Sequence, residues 1–182
     1  TAINLAYAVD RMKAKIRNRD YQLSLAEELL EEAHKIKDEE IRACSLIGDE
    51  GLKIIQEISK NKNGDTVNIL THCNAGWLAC VEYGTATAPI YAAFDKGLDV
   101  HVWVDETRPL NQGSRLTAWE LAARGIEVTV ICDSAAASLL RCGHVDAVIQ
   151  PAETRDFLLH AIHVSASKSE SRPARKHGIP PF

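Results

Sequence analysis

Cys73 stands between His72 and Asn74 in the run Thr71-His72-Cys73-Asn74-Ala75-Gly76, directly after the apolar stretch 67–70. A thiol in polar company can give up and take back a proton. By residue type alone, a small buried structural cysteine is an equally good reading. A second polar run follows the apolar stretch 100–104: Asp105-Glu106-Thr107-Arg108-Pro109-Leu110-Asn111-Gln112-Gly113-Ser114-Arg115. Arg108 and Arg115 suggest an anionic ligand, because guanidinium groups grip phosphate with two parallel hydrogen bonds. The competing reading pairs both arginines with Glu106 and Asp105. A third run, Asp133-Ser134-Ala135, follows residues 128–132. Polar groups this dense, where buried strands end, are costly unless water or a ligand satisfies them.

The elements that must position these runs fall into two parts. Residues 2–59 are helical in period: one helix reaches about Arg17 and another follows from near Leu23, with apolar Ala26, Leu29, Leu30, Ala33, Ile36, Ile41 and Cys44 mostly three or four apart. Glu27, Glu31, Glu32 and Lys35 read as a solvated face. Asp49, Glu50 and Gly51 read as an interruption before the pattern resumes at Ile54, Ile55 and Ile58. Residues 61–65 (NKNGD) are turn chemistry and mark the boundary between a helical region, 1–62, and a second domain, 63–182. In that second domain, strands at 67–70, 100–104, 128–132 and 145–149 alternate with helices at 84–96, 112–124 and 134–141. Gly97, Gly125 and Gly143 follow the helices. The fold class is therefore α/β: a Rossmann-like parallel sheet with flanking helices behind an N-terminal helical region. Such sheets bind ligands at the carboxyl ends of their strands, so the three polar runs should converge.

The 182 residues are 46% hydrophobic and 25% charged, the balance of a globular protein. A net charge of −4 leaves no basic footprint for nucleic acid, and the basic cluster at 168–176 reads as a solvated tail. No apolar run reaches the roughly 18 residues of a membrane span. Five cysteines, with no CxxC pair and no zinc-ligand spacing, point to reduced thiols in a cytoplasmic compartment. Neither a dinucleotide fingerprint nor a phosphate loop is present, which argues against a nucleotide cofactor. The sequence opens at Thr1 inside an apolar helical pattern, and residues are expected to precede it.

Thr71-His72-Cys73-Asn74-Ala75-Gly76, Tyr83-Gly84-Thr85-Ala86, Asp105-Glu106-Thr107-Arg108-Pro109, Gln112-Gly113 and Arg115-Leu116-Thr117-Ala118-Trp119-Glu120-Leu121 together resemble the methylthioribose-1-phosphate isomerase family over about residues 1–149. That family shares its fold with ribose-1,5-bisphosphate isomerase and with the alpha, beta and delta regulatory subunits of the translation initiation guanine-nucleotide exchange factor. The resemblance implies conversion of a cyclic aldose 1-phosphate to its ketose 1-phosphate, as in methionine salvage. It also implies a homodimer and no metal or organic cofactor. It assigns catalysis to Cys73 with a carboxylate after the fourth strand, and substrate contacts to His72, Asn74, Arg108 and Gln112. The alternative within the same fold is a non-catalytic regulatory subunit that binds a sugar phosphate or nucleotide.

After the fourth strand the pattern departs. Where the family has valine-glycine-alanine-aspartate-arginine, this chain reads Gln150-Pro151-Ala152-Glu153-Thr154-Arg155, so Glu153 falls on the catalytic aspartate. His163 and Val164 fall on an asparagine-lysine pair that touches substrate. Ala174-Arg175-Lys176-His177-Gly178-Ile179-Pro180 returns to the family pattern at the expected spacing. Preserved spacing with altered side chains leaves two readings of 150–173: a shifted reading frame, or genuine divergence that lowers activity. The family's arginine-glycine-alanine-proline segment, part of its phosphate site, lies before the residue matched by Thr1. The chain by itself is expected to have little or no isomerase activity.

Overall fold

The structure, a computed structural model, describes residues 2–17 and 24–150. Two helices open it, α1 (Ala2–Ile16) and α2 (Ser24–Asn61). They are joined by ion pairs: Arg11 reaches Glu32 at 2.5 Å and also contacts Glu39, while Lys15 reaches Glu32 at 3.3 Å. Glu32 is therefore buried, not part of the solvated face expected of it, because α1 covers it and supplies the opposite charge. The Arg11 guanidinium holds its carboxyl below the usual range.

α2 is continuous over 38 residues, and the expected interruption at Asp49, Glu50 and Gly51 does not occur. Gly51 of that stretch and Gly48 just before it are both buried. A Cβ on Gly48 would come within 3.2 Å of the Ala88 carbonyl oxygen. The small residue there serves close helix packing and does not break the helix. Asn63 and Gly64, both with positive φ, end α2, and the Gly64 N–H donates to the Ser59 carbonyl at 2.9 Å.

The remainder is a parallel four-stranded sheet with helices: β1 (Val67–Thr71), α3 (Ala88–Asp95), β2 (Val100–Asp105), α4 (Ala118–Ala123), β3 (Glu127–Ile131), α5 (Ala136–Arg141) and β4 (Ala147–Ile149). The order across the sheet is β3-β2-β1-β4. β1 pairs with β2 from Val67↔Val100 to Thr71↔Val104, and with β4 at Ile69↔Ala147. Three strands run outward in one direction, and the chain then returns to the far side of β1. That places the topological switch point, where such sheets bind ligands, between β1 and β4.

One face of the sheet carries Val67, Ile69, Val100, Val102 and Val104, all buried against Ile55 of α2, Ile90 of α3 and Leu121 of α4. Each such aliphatic contributes about 1.5–3 kcal/mol by leaving water. On the other face, His101 Nδ1 bonds Asn68 Oδ1 at 3.2 Å and Nε2 bonds Thr129 Oγ1 at 2.8 Å, tying three strands together. The strands lie where the sequence placed them to within two residues. The helix expected at 84–96 begins only at Ala88, because positive φ at Tyr83 and Gly84 keeps the preceding chain in turns. The helix expected at 112–124 starts with a π turn, Gly113–Thr117, and the one at 134–141 with a 3-10 turn, Asp133–Ala135.

Candidate functional site

The three polar runs converge at the carboxyl ends of β1, β2 and β3. Cys73 sits two residues beyond the end of β1, half-buried, with φ of +64°. That left-handed conformation costs a residue with a side chain about 1–2 kcal/mol, so surrounding bonds must hold it. The Cys73 N–H donates to Thr107 Oγ1 at 2.9 Å, and the Thr117 hydroxyl donates to the Cys73 carbonyl at 2.6 Å. Thr107 is itself left-handed at +63°, and its hydroxyl donates to the Asp105 carbonyl. The other four cysteines are unlike Cys73. Cys44 and Cys80 are buried, and burial pushes the Cys44 thiol up to about 12 and the Cys80 thiol up as well. Cys132 and Cys142 are exposed on the surface.

The loop after β2 is fastened to the loop after β3. Asp133 accepts the backbone N–H groups of Thr107 and Arg108, each at 2.8 Å, and these bonds hold its carboxyl below the ordinary range. His72 Nδ1 lies 3.1 Å from Asp105 Oδ2. Burial pushes the Asp105 carboxyl up, and the His72 bond offsets only part of that rise. His72, Asp105 and Asp133 thus bring one potential metal-ligand atom each within 4.8 Å of one another. Three of their four carboxylate oxygens are already committed to the protein's own bonds, so the cluster serves first as a clasp between loops. The fourth, Asp105 Oδ1, is buried without a partner among the described residues.

The remaining expected site residues divide clearly. Arg108 is exposed beside this clasp, and its peptide bond to Pro109 is cis. Asp105 pairs with His72 and not with an arginine; neither Arg108 nor Arg115 forms an ion pair among the described residues. Gln112 caps the π turn, and its Oε1 is buried without a partner among the described residues, as is Asn111 Oδ1. Asn74 is buried and faces inward: its Nδ2 donates to Thr117 Oγ1 at 3.1 Å and to Glu120 Oε1 at 2.9 Å. Glu153, His163 and Val164 lie outside the described residues. Thr107, Thr117 and Glu120 lie within the sequence motifs, but their residue types alone announce no part in the site. The available signal was a carboxylate on the 117-120-121 stripe that faces the core.

The model of the initiation factor 2 subunit family matches residues 1–154. The chain belongs to that family. Over 149 residues it is 60% identical to methylthioribose-1-phosphate isomerase of Desulfatibacillum aliphaticivorans, covering 82% of this chain and 40% of that protein. Over 180 residues it is 49% identical to the same-named protein of Desulfosudis oleivorans, covering 99% of this chain and 49% of that one. The crystal structure of 5-methylthioribose 1-phosphate isomerase from Pyrococcus horikoshii is similar at a TM-score of 0.70 and 38% identity, covering 82% of this chain and 40% of that one. The delta subunit of translation initiation factor eIF-2B from A. fulgidus is similar at 0.68 and 37%, covering 82% of this chain and 42% of that one. The chain spans from two fifths to half the length of these relatives. Within the family, then, both an enzyme and a translation-factor subunit share this fold.

Proposed function

We propose that this chain carries the Cys73 half of the active site of an aldose-ketose isomerase, one that converts 5-methylthioribose 1-phosphate to 5-methylthioribulose 1-phosphate. The supporting observation is Cys73 itself: a half-buried thiol at the carboxyl end of β1, beside the switch point, held left-handed by threonine hydroxyls on both sides. The names of the similar proteins supply the substrate.

The reaction sets demands that such a site meets. The C1 oxygen of the substrate carries the phosphate, so the sugar cannot open to a free aldehyde. The bond from C1 to the ring oxygen breaks, and the ring oxygen takes a proton. Hydrogen passes from C2 to C1, and the C2 hydroxyl proton leaves as C2 becomes the carbonyl. In the enediol route a base carries the C2 hydrogen as a proton; in the other it moves directly as hydride. Either route needs one donor and one acceptor placed on the sugar. Cys73 and the Glu153 carboxylate are assigned these roles.

Arg108 takes the phosphate, since among the described residues no carboxylate forms an ion pair with it. Gln112 offers its unpartnered carbonyl to a sugar hydroxyl. His72, oriented through Nδ1 by Asp105, has Nε2 for the substrate. Asn74 acts from behind, through the loop. Residues 1–62 and 63–182 are read as the helical and catalytic domains of a homodimeric cytoplasmic protein. Among the described residues no helix is long and apolar enough to cross a membrane.

The second reading, a non-catalytic subunit that senses a sugar phosphate or nucleotide, draws on the eIF-2B delta likeness and on glutamate in place of aspartate at 153. Turnover separates the two. The protein that carries this chain at its relatives' length forms ketose 1-phosphate if the first is right, and binds without turnover if the second is.

A further inference from the structure

Glu120 is 1% exposed, and the chemistry above gives it no part. An acid in a core costs free energy, and an apolar residue of similar size is often no less stable there. Its surroundings are specific. Burial pushes its carboxyl up, and Asn74 with the N–H groups of Leu78 and Trp77 offsets only part of that. Gly76 lies so close that a Cβ there would be 2.8 Å from Oε1 and nearer still to Oε2. Segment 74–78, which continues the Cys73 loop, is therefore wrapped around one carboxyl group.

The same Asn74 amide reaches Thr117, one helical turn before Glu120, and Thr117 in turn holds the Cys73 carbonyl. The donor sequence has a direction. An ionised carboxylate can only accept from the amide, so above the Glu120 titration Asn74 is fixed with its NH2 toward α4. That NH2 occupies a lone pair of Thr117 Oγ1, which leaves the threonine proton for Cys73. Thr107, on the opposite flank, accepts the Cys73 N–H.

We propose that Glu120 and Thr117 are positioning residues for Cys73: the buried carboxyl orients Asn74, Asn74 orients the Thr117 hydroxyl, and that hydroxyl locks the cysteine in its left-handed pose. The proposal rests on the reading of Cys73 as the reactive group, but its test needs no substrate. Thr117→Val keeps the side-chain shape and removes the donor; Thr117→Ser keeps the donor; Glu120→Gln replaces the carboxyl with an amide.

Iodoacetamide alkylation of the 182-residue chain at fixed pH, followed cysteine by cysteine by peptide mass spectrometry, reads the pose directly. Buried Cys44 and Cys80 are internal references for general loosening. The expected result is Cys73 alkylation faster by about fivefold in Thr117→Val and raised in the same direction in Glu120→Gln. Cys44 and Cys80 stay unchanged, and Thr117→Ser returns to the wild-type rate. Unchanged Cys73 rates in both Thr117→Val and Glu120→Gln overturn the proposal. So does a rise shared equally by Cys44 and Cys80, which marks the network as a general support of the fold. If Cys73 loosens selectively in a protein that turns over no sugar phosphate, this inference stands and the isomerase reading falls.

Discussion

Gly113→Ala offers a test in which two physical effects predict opposite signs. Gly113 opens the π turn that leads into α4 and has no positive φ, so its backbone suits any residue. By helix propensity alone, alanine there should stabilise the protein by about 0.8–1 kcal/mol. The structure predicts the reverse. A Cβ on Gly113 would land on the Asp105 carbonyl oxygen, more than an ångström inside the 3.0 Å below which real Cβ contacts essentially never fall. It would also lie 2.9 Å from the carbonyl carbon and 3.1 Å from Thr107 Oγ1. The obstacle is backbone at the end of a central strand, so the loop 106–113 must back away as a unit. Overpacking of this kind costs about 1–3 kcal/mol even after relaxation. Urea unfolding followed by circular dichroism should show a midpoint lower by roughly 1 M at an unchanged slope of about 2 kcal/mol/M. Gly97→Ala is the control: φ is +75° and nothing lies within 4 Å, so only strain of about 1 kcal/mol is expected. A Gly113→Ala protein as stable as wild type, or more so, would refute the account of how the β2 loop is packed beneath Thr107 and Cys73.

The titrations give two further expectations. Glu120 holds its proton longer in the folded chain than at its ordinary value of 4.5, so the folded state binds more protons in that window. Stability therefore falls as pH rises from 4.5 through the folded value, and Glu120→Gln should flatten that part of the stability–pH curve; an unchanged slope would contradict it. Asp133 is the opposite case, held below its ordinary 3.8 by the N–H groups of Arg108 and Thr107. Its contribution is present above 3.8 and is lost as pH falls through the folded value, so Asp133→Asn should lower stability at neutral pH and reduce the loss on acidification. If Arg108 takes the phosphate, Arg108→Ala should raise KM about tenfold or more with a smaller change in kcat, measured by initial rates; an unaltered KM would remove the residue from the site.

The alternation of strands with helices was legible because short β-branched runs such as Val67 to Leu70 and Val100 to Val104 recur between helical stretches, and glycines such as Gly97 and Gly125 mark where helices stop. The meeting of His72, Asp105 and Asp133 followed from the same rule, which puts every strand's carboxyl end at one edge. Local composition misled where tertiary packing decided. Asp49, Glu50 and Gly51 look like a break in a helix, yet α2 runs through them, and Gly48 just before them admits the close approach of Ala88 at the start of α3. Glu32 looks solvated, yet Arg11 from another helix covers it. Asn74 adjoins Cys73, and its side-chain NH2 bonds Glu120, a partner 46 residues away that no local pattern announces.

Turnover bears most directly on the isomerase account. The protein that carries this chain at its relatives' length is mixed with 5-methylthioribose 1-phosphate, and ketose formation is followed by carbon NMR for the wild type and for Cys73→Ala. The expected result is conversion by the wild type and a rate lower by about 10²–10⁴-fold in the variant, the share that a positioned proton-transfer group contributes. No conversion by the wild type, or equal rates in the two proteins, contradicts it.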